Sequence, residues 1–472
     1  MPTLRHILML IVISFTTHTA SAVEPQLAAD ALKRAVTFYR EQVSCQGTYL
    51  WRYSADFTLR EGEVEASEKT GWVQPPGTPS VGEAYLTAYE ATRDPFYLDA
   101  AKETAQGLIM GQLRSGGWDY RIEFDDAVRK KFAYRVSPNK PDGTNTSTLD
   151  DNTTQSALKF MMRIDKVLAF ADPNIHEACT YALDALLAAQ YPNGAWPQRF
   201  HAPPVAADFP VLKASYPETW NREYVKIDYQ GFYTFNDGAM RDMVRLMLDA
   251  HDIYGDARYK NAAIKAGDFM LLAQMPEPQP GWAQQYDRDM HPAWARKFEP
   301  PAICGSESQG VMLTLLELSG RTGEKRFLDA VAPALAYYRR SLLPDGRLAR
   351  FYELQTNKPL FFTKEYVLTY ASDDVPTHYS FFSGANLDQL ESIYTMLTRG
   401  ESVAWNEKST APTETTIKNI VEQLDPRGAW VEKGTLRAHK EVNTIEIIDS
   451  AVFCQKVSAL SGYIAANAPP NQ

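Results

Sequence analysis

The chain has 472 residues, 44% hydrophobic and 22% charged, a balance that excludes wholesale disorder and leaves material for a sizeable core. Its formal net charge of -10 excludes the basic footprint of a nucleic-acid binder; an acidic chain of this kind binds an acidic polymer only through a locally basic cleft or a bridging cation. Aromatics reach 12%, with 9 Trp and 25 Tyr, which suits a groove that stacks sugar rings and equally a large helical core.

Residues 1–22 read as a signal peptide. Arg5 and His6 form its charged start, Ile7 to Phe15 an apolar run too short to span a bilayer, and Ala20-Ser21-Ala22 a small-residue cleavage site. The expectation is a secreted or periplasmic protein, soluble and free of membrane contact in its mature form. Residues 23–472 are expected to form one domain and a monomer, with 23–144 as an extended N-terminal helical part. Cys45, Cys179, Cys304 and Cys454 lack the close spacing of a zinc cluster. Export permits disulfides in any of three pairings, and free buried thiols fit as well.

Four segments repeat one plan: a helical run, a short turn, then an aromatic or charged strip. They run from Phe96 to Tyr120, His176 to Gln198, Arg258 to Asp287 and Arg326 to Glu353. Gln112, Gln190 and Gln274 close the helix in three of them; Trp118, Trp196 and Trp282 follow the turn, with Leu348 in that place in the fourth. Another apolar run precedes each: Val81 to Thr92, Thr154 to Ala169, Gly238 to Tyr254 and Ser308 to Ser319, with a fifth such run from Ala385 to Leu397. Met240, Met243, Val244, Met247 and Leu248 show the helical spacing. The unit is therefore a helical hairpin, which cannot bury its apolar face alone. Five or six of them stack into an all-α fold, an α/α toroid either closed or incomplete, with the strips emerging at one end of the ring. An open α-solenoid is the alternative.

Chemistry-bearing strings fall where these hairpins begin and end. Asp150-Asp151-Asn152 and Asn236-Asp237-Gly238 each stand directly before a helix. Asp and Asn there are common helix caps, yet clustered hard oxygen ligands also suit Ca²⁺. Tyr191 to Gln198 reads as a turn carrying Trp196 and Gln198, a flat apolar face and an amide that a sugar platform needs; a core Trp is the alternative. Trp282 to Asp287, with Gln285, leads to a basic loop holding Arg296, Lys297 and Glu299. Arg347 to Glu353, with Arg350 and Tyr352, leads to Lys358 and Lys364. These are the basic loops of an acidic chain, and solvated charged loops are the plainer reading.

Taken in order from about residue 145 to about 365, these strings resemble polysaccharide lyase family 10, the pectate lyases built on an α/α toroid. The resemblance rests on Asp150 to Thr154, Tyr191 to Gln198, Phe235 to Asp237, Trp282 to Asp287, Ala295 to Pro301 with Ser306-Glu307-Ser308, and Arg350 to Pro359. It implies a lyase that cleaves α-1,4-polygalacturonate by Ca²⁺-assisted β-elimination into 4,5-unsaturated oligogalacturonides. It implies Arg296 as the Brønsted base, Asp150, Asp151 and Asp237 near Ca²⁺ and substrate, and Arg350 on a substrate carboxylate. Lys364 stands where the family has a second substrate-binding Arg, and Asp151 where it has Asn. Trp196, Gln198, Trp282, Gln285, Lys297 and Tyr352 complete the expected substrate contacts. The stretch from Gln198 to Phe235 is longer than in the family. A hydrolase acting on unsaturated uronides, with Asp150 and Asp237 as acid and base, is the alternative enzyme; a non-catalytic toroid that binds acidic polysaccharide is the alternative outside catalysis.

Overall fold

The computed structural model describes residues 25–229, 231–405 and 412–468; the signal-peptide reading of residues 1–22 lies outside them. Thirteen α-helices appear among the described residues: α1 (Pro25–Phe38), α2 (Thr78–Thr92), α3 (Pro95–Gly111), α4 (Asp126–Arg129), α5 (Thr153–Val167), α6 (Pro173–Ala189), α7 (Ala239–Tyr254), α8 (Ala257–Ala273), α9 (Glu307–Thr322), α10 (Val331–Arg340), α11 (Leu387–Thr398), α12 (Glu414–Glu422) and α13 (Ser450–Ala466). Strands are two to five residues long. The fold is an α/α toroid. The inner helices α13, α2, α5, α7, α9 and α11 lie each against the next, while α3, α6, α8 and α10 back their hairpin partners from outside. The N-terminal α1 packs on the C-terminal α13, so the two ends of the chain share one hairpin, and α2 stacks directly on α5. Residues 25–144 therefore supply members of the ring.

Three of the outer helices, α3, α6 and α8, begin on aspartate caps. Asp94, Asp172 and Asp256 accept from Phe96 N at 2.9 Å, Asn174 N at 3.0 Å and Arg258 N at 2.8 Å, satisfying amides that have no partner within the helix. Their far ends are stapled by the repeated glutamines. Gln112 Nε2 donates to the carbonyls of Gly116 and Ala178, both at 2.9 Å, Gln190 Nε2 to those of Gly194 and Ala262, both at 2.9 Å, and Gln274 Nε2 to those of Pro280 at 3.1 Å and Ala330 at 2.8 Å. One amide thus fixes its own turn and the outer helix of the next hairpin.

The tryptophans after those turns are buried. Trp118, Trp196 and Trp282 donate their indole N–H to Leu108, Leu186 and Met270 carbonyls, each at 2.8 Å. This corrects the expectation that Trp196 and Trp282 stack against sugar: the indoles fasten each strip back onto its helix. Tyr352 is likewise buried, its hydroxyl donating to Ser341 O at 2.7 Å, and is no substrate contact.

The strips themselves pair as short antiparallel ribbons: Ser147–Thr148 with Arg199–Phe200, Tyr233–Thr234 with Gln285–Tyr286, and Ile303–Cys304 with Phe351–Tyr352. The first strand of each leads straight into α5, α7 or α9, so the ribbons share the end of the ring where the inner helices begin. All four cysteines are free thiols. Among the described residues no helix is long and apolar enough to cross a membrane.

Candidate active site

Two inner helices start differently from the outer ones. Asp150–Asn152 and Asn236–Gly238 are single tight turns whose last two residues are left-handed: φ is 51° at Asp151 and 57° at Asn152, 49° at Asp237 and 71° at Gly238. A left-handed residue other than Gly costs about 1–2 kcal/mol. The same supports hold both turns. Asp150 N donates to Thr148 Oγ1 at 3.3 Å and Asn236 N to Thr234 Oγ1 at 3.0 Å; Leu149 N donates to Gln198 O at 2.8 Å and Phe235 N to Gln284 O at 2.9 Å. Neither helix receives a side-chain cap. The capping alternative fails, and the carboxylates project from the ring face.

There they converge. One carboxylate oxygen from each of Asp150, Asp151 and Asp237 lies within 4.8 Å of the other two. The Tyr120 hydroxyl donates between Asp150 Oδ2 at 3.2 Å and Asp151 Oδ2 at 3.4 Å, and Asn236 Nδ2 donates to Asp237 Oδ2 at 2.5 Å. Asp150 Oδ1 is buried without a hydrogen-bond partner. Lost hydration, then the charges of Asp150 and Asp237, push the Asp151 carboxyl up to about 6. Lost hydration and Asp150 also raise Asp237, with Arg296 pulling the other way. Three mutually repelling carboxylates and an orphaned oxygen are a donor set that fits a hard divalent cation such as Ca²⁺.

The basic side of the same cleft comes from the 294–301 loop. Arg296 grips Glu299 on two bonds, Nε to Oε2 at 2.9 Å and Nη2 to Oε1 at 2.6 Å. Glu299 is buried and also accepts from Gln284 Nε2 at 2.7 Å and the Tyr379 hydroxyl at 3.1 Å. These bonds, above all those to Glu299, hold the Arg296 guanidinium above its ordinary range. The cleft encloses about 340 Å³, and Gln198, Gln285, Tyr229 and Arg199 line it with the carboxylates and Arg296.

The remaining expected residues divide. Gln198 and Gln285 line the cleft, Gln285 Nε2 donating to Tyr229 O at 3.1 Å. Arg350 lines the adjoining cavity, donates to Glu307 Oε1 at 2.5 Å, and keeps a buried Nε without a partner. Lys297 is exposed, its Nζ 3.4 Å from the centre of the Tyr366 ring. Lys364 is exposed and paired with Asp374 at 3.1 Å, outside the lining of both cavities. The long stretch before Phe235 crosses the basic loop: Asn221 O accepts from Trp294 Nε1 at 2.8 Å, and Arg222 pairs with Glu353.

Sequence reasoning missed Tyr120, Glu63, Arg199 and Tyr229, all in the cleft. Arg199 has a buried Nε without a partner, a donor aimed at an acceptor that the protein does not supply. Its place directly after Gln198, in the strip following a hairpin, was the available signal.

The family model for pectic acid lyase matches residues 112–349, just over half of the chain. No curated protein matches. Among solved structures, a family 10 polysaccharide lyase from Cellvibrio cellulosa is 22% identical, covering 68% of this chain and 97% of that one, with a TM-score of 0.45. A point mutant of a family 10 polysaccharide lyase from Cellvibrio cellulosa, in complex with trigalacturonic acid, is 21% identical over 68% of this chain and 98% of that one, with a TM-score of 0.44. An α-1,6-mannanase of Salegentibacter sp. is 11% identical, covering 93% and 98%, with a TM-score of 0.40.

Proposed function

The chain belongs to the pectic acid lyase family and is a polysaccharide lyase; from that premise we propose that it cleaves α-1,4-polygalacturonate by Ca²⁺-assisted β-elimination in the cleft between Asp150, Asp151, Asp237 and Arg296. The observation that carries this reading is the meeting, in one cleft, of three clustered carboxylates and a cation. The carboxylates would hold Ca²⁺, which supplies the positive charge that lets a uronate sit among anions and stabilises charge developing on it. Glycosidase carboxyl pairs stand about 5–5.5 or 6.5–9.5 Å apart across the cleft. Here three carboxylates, with one oxygen of each within 4.8 Å of the other two, gather more negative charge than an acid and base pair needs, which supports a cation site.

In β-elimination the C5–H and C4–O bonds break and a C4=C5 double bond forms. The C5 proton passes to the base, and the departing sugar oxygen takes up a proton. Arg296 is the base in this reading. Its pair with Glu299 strengthens an already tight hold on its proton, so a base role needs the pair to loosen and the bound cation and lost hydration to lower the guanidinium further. Arg350, with its unpartnered Nε, and Arg199 offer donors for uronate carboxylates. The polymer is the expected partner of an otherwise acidic surface, and export by the residues 1–22 segment would bring the enzyme to it.

Incubation with polygalacturonate should raise near-ultraviolet absorbance from the unsaturated product, and excess chelator should abolish that rise reversibly. Full turnover in chelator removes the ion, and absence of the absorbance removes the lyase reading. Glu299→Gln tests the base. Losing the partner lowers the Arg296 pKa, so the rise of kcat/KM with pH should move about one unit or more toward acid. An unmoved profile assigns Arg296 to charge pairing alone.

A further inference from the structure

The inner helices on either side of α7, α5 and α9, share one anchoring register at their second and third residues, and α7 departs from it. In α5, Thr154 Oγ1 accepts from Trp118 N at 3.1 Å and donates back to Trp118 O at 3.2 Å; Gln155 Nε2 donates to Leu149 O at 2.7 Å. In α9, Ser308 Oγ accepts from Trp282 N at 3.0 Å and donates to Trp282 O at 3.1 Å; Gln309 Nε2 donates to Gly305 O at 2.9 Å. A hydroxyl and an amide thus tie the start of each helix to the strip below it. The same places in α7 hold Met240 and Arg241. Neither can make both halves of that anchor, so α7 gives up local bonding that its neighbours have. Departures of this kind collect at functional sites.

Arg241 faces a second cavity of about 490 Å³, lined also by Asp237, Glu307, Arg350, Asn386 and Gln389. That volume is in the range of about 300–1,000 Å³ typical of small-ligand pockets. Asp237 lines both this cavity and the 340 Å³ cleft, so the two adjoin at one carboxylate. Among the described residues the Arg241 side chain makes a single hydrogen bond, Nε to Asp242 Oδ1 at 3.0 Å. Its guanidinium lies over the left-handed turn: a Cβ on Gly238 would fall 2.5 Å from Nη2. Where the corresponding turn has Asn152, Gly238 leaves room for a cation. The far wall, Ser383 to Leu390, comes from beyond the family-matched stretch.

We propose that this cavity is a further sugar-binding subsite, in which Arg241 takes the carboxylate of an additional uronate unit and Asn386 and Gln389 meet its hydroxyls. The inference rests on the polygalacturonate reading above and extends it: the enzyme prefers chains long enough to fill both cavities. Arg presents the planar fork that matches a carboxylate, and Met240 and the neighbouring helix surfaces supply an apolar floor.

The test uses a ladder of galacturonate oligomers, with kcat/KM from product absorbance and Kd from calorimetry, for the wild type, Arg241→Ala, Arg241→Lys and Gly310→Leu. A Cβ at Gly310 meets nothing within 4 Å, so Gly310→Leu narrows the cavity while favouring the helix. In the wild type, kcat/KM should climb as chains lengthen into the cavity. That climb should shrink about tenfold in Arg241→Ala, be partly restored by Arg241→Lys, and shrink also in Gly310→Leu, through KM and Kd rather than kcat. An equal loss at every length in Arg241→Ala, or an unchanged length dependence in both Arg241→Ala and Gly310→Leu, overturns the subsite. Should the wild type yield no unsaturated product, the lyase reading fails by itself, and the length dependence of Kd still decides the subsite.

Discussion

Aspartate at a helix start serves opposite purposes in the outer helices α3, α6 and α8 and in the inner helices α5 and α7. In the outer layer Asp94, Asp172 and Asp256 cap their helices. Asp94, bonded to Lys33 and to Phe96 N, and Asp256, bonded to Arg258 N and its guanidinium, are held below the ordinary carboxylate range. At the starts of α5 and α7, Asp151 and Asp237 cap nothing, stand on left-handed residues, and are held above that range by lost hydration and then by the charge of Asp150. Residue type is the same; what differs is whether the backbone turns the side chain onto its own helix or out into a shared cleft. A protein keeps such strain and repulsion where a ligand relieves them.

The largest expected difference between the layers is catalytic. Asp237→Asn keeps the shape and removes one charge facing the reacting uronate; kcat/KM on polygalacturonate should fall about 10²–10³-fold, with thermal stability in chelator unchanged or raised. A matching loss of stability would place Asp237 among the structural caps.

A smaller contrast is in pH dependence. The folded Asp151 carboxyl, at about 6, binds its proton more tightly than in the unfolded chain, where the value is about 3.9. Folding therefore takes up protons between those values, and stability from this group is fully present below about pH 4 and lost as pH rises through about 6. Caps with lowered carboxyls give the opposite slope. Thermal melts in chelator should show the loss between pH 4 and 7. Asp151→Asn should flatten it, and added Ca²⁺ should stabilise more at pH 8 than at pH 5. A slope untouched by Asp151→Asn would assign it elsewhere.

The smallest effect belongs to the outer layer. Asp172→Ala removes bonds to Asn174 N and Ile175 N and should cost about 1 kcal/mol in denaturant titration, with kcat/KM on polygalacturonate kept. A large activity loss there would erase the division between the layers.

Much of this molecule was legible along the chain. Helical periodicity and the recurring Gln112, Gln190 and Gln274 announced stacked hairpins, because those patterns depend on near neighbours. Asp150, Asp151, Asp237 and Arg296 were legible as ordered strings before their meeting was visible. The tryptophan strips were misread for a physical reason. A Trp after a turn has the same local sequence whether its ring faces a sugar or its own helix, and only the carbonyls of Leu186 and Met270 decide.

By itself the sequence determined the elements, their repeat, and the chemical types gathered at the ends of the hairpins, since these follow from spacing and side-chain chemistry. Only the tertiary structure decided which groups share a cleft. Tyr120, Arg199 and Glu299 join Asp150 and Asp237 there because the packing of α5 on α7 brings the starts of those helices side by side. Lys364, fourteen residues from Arg350 in sequence, is carried away to Asp374 because the 359–369 ribbon turns it outward. Distance along the chain sets neither outcome; the packing of one hairpin on the next does.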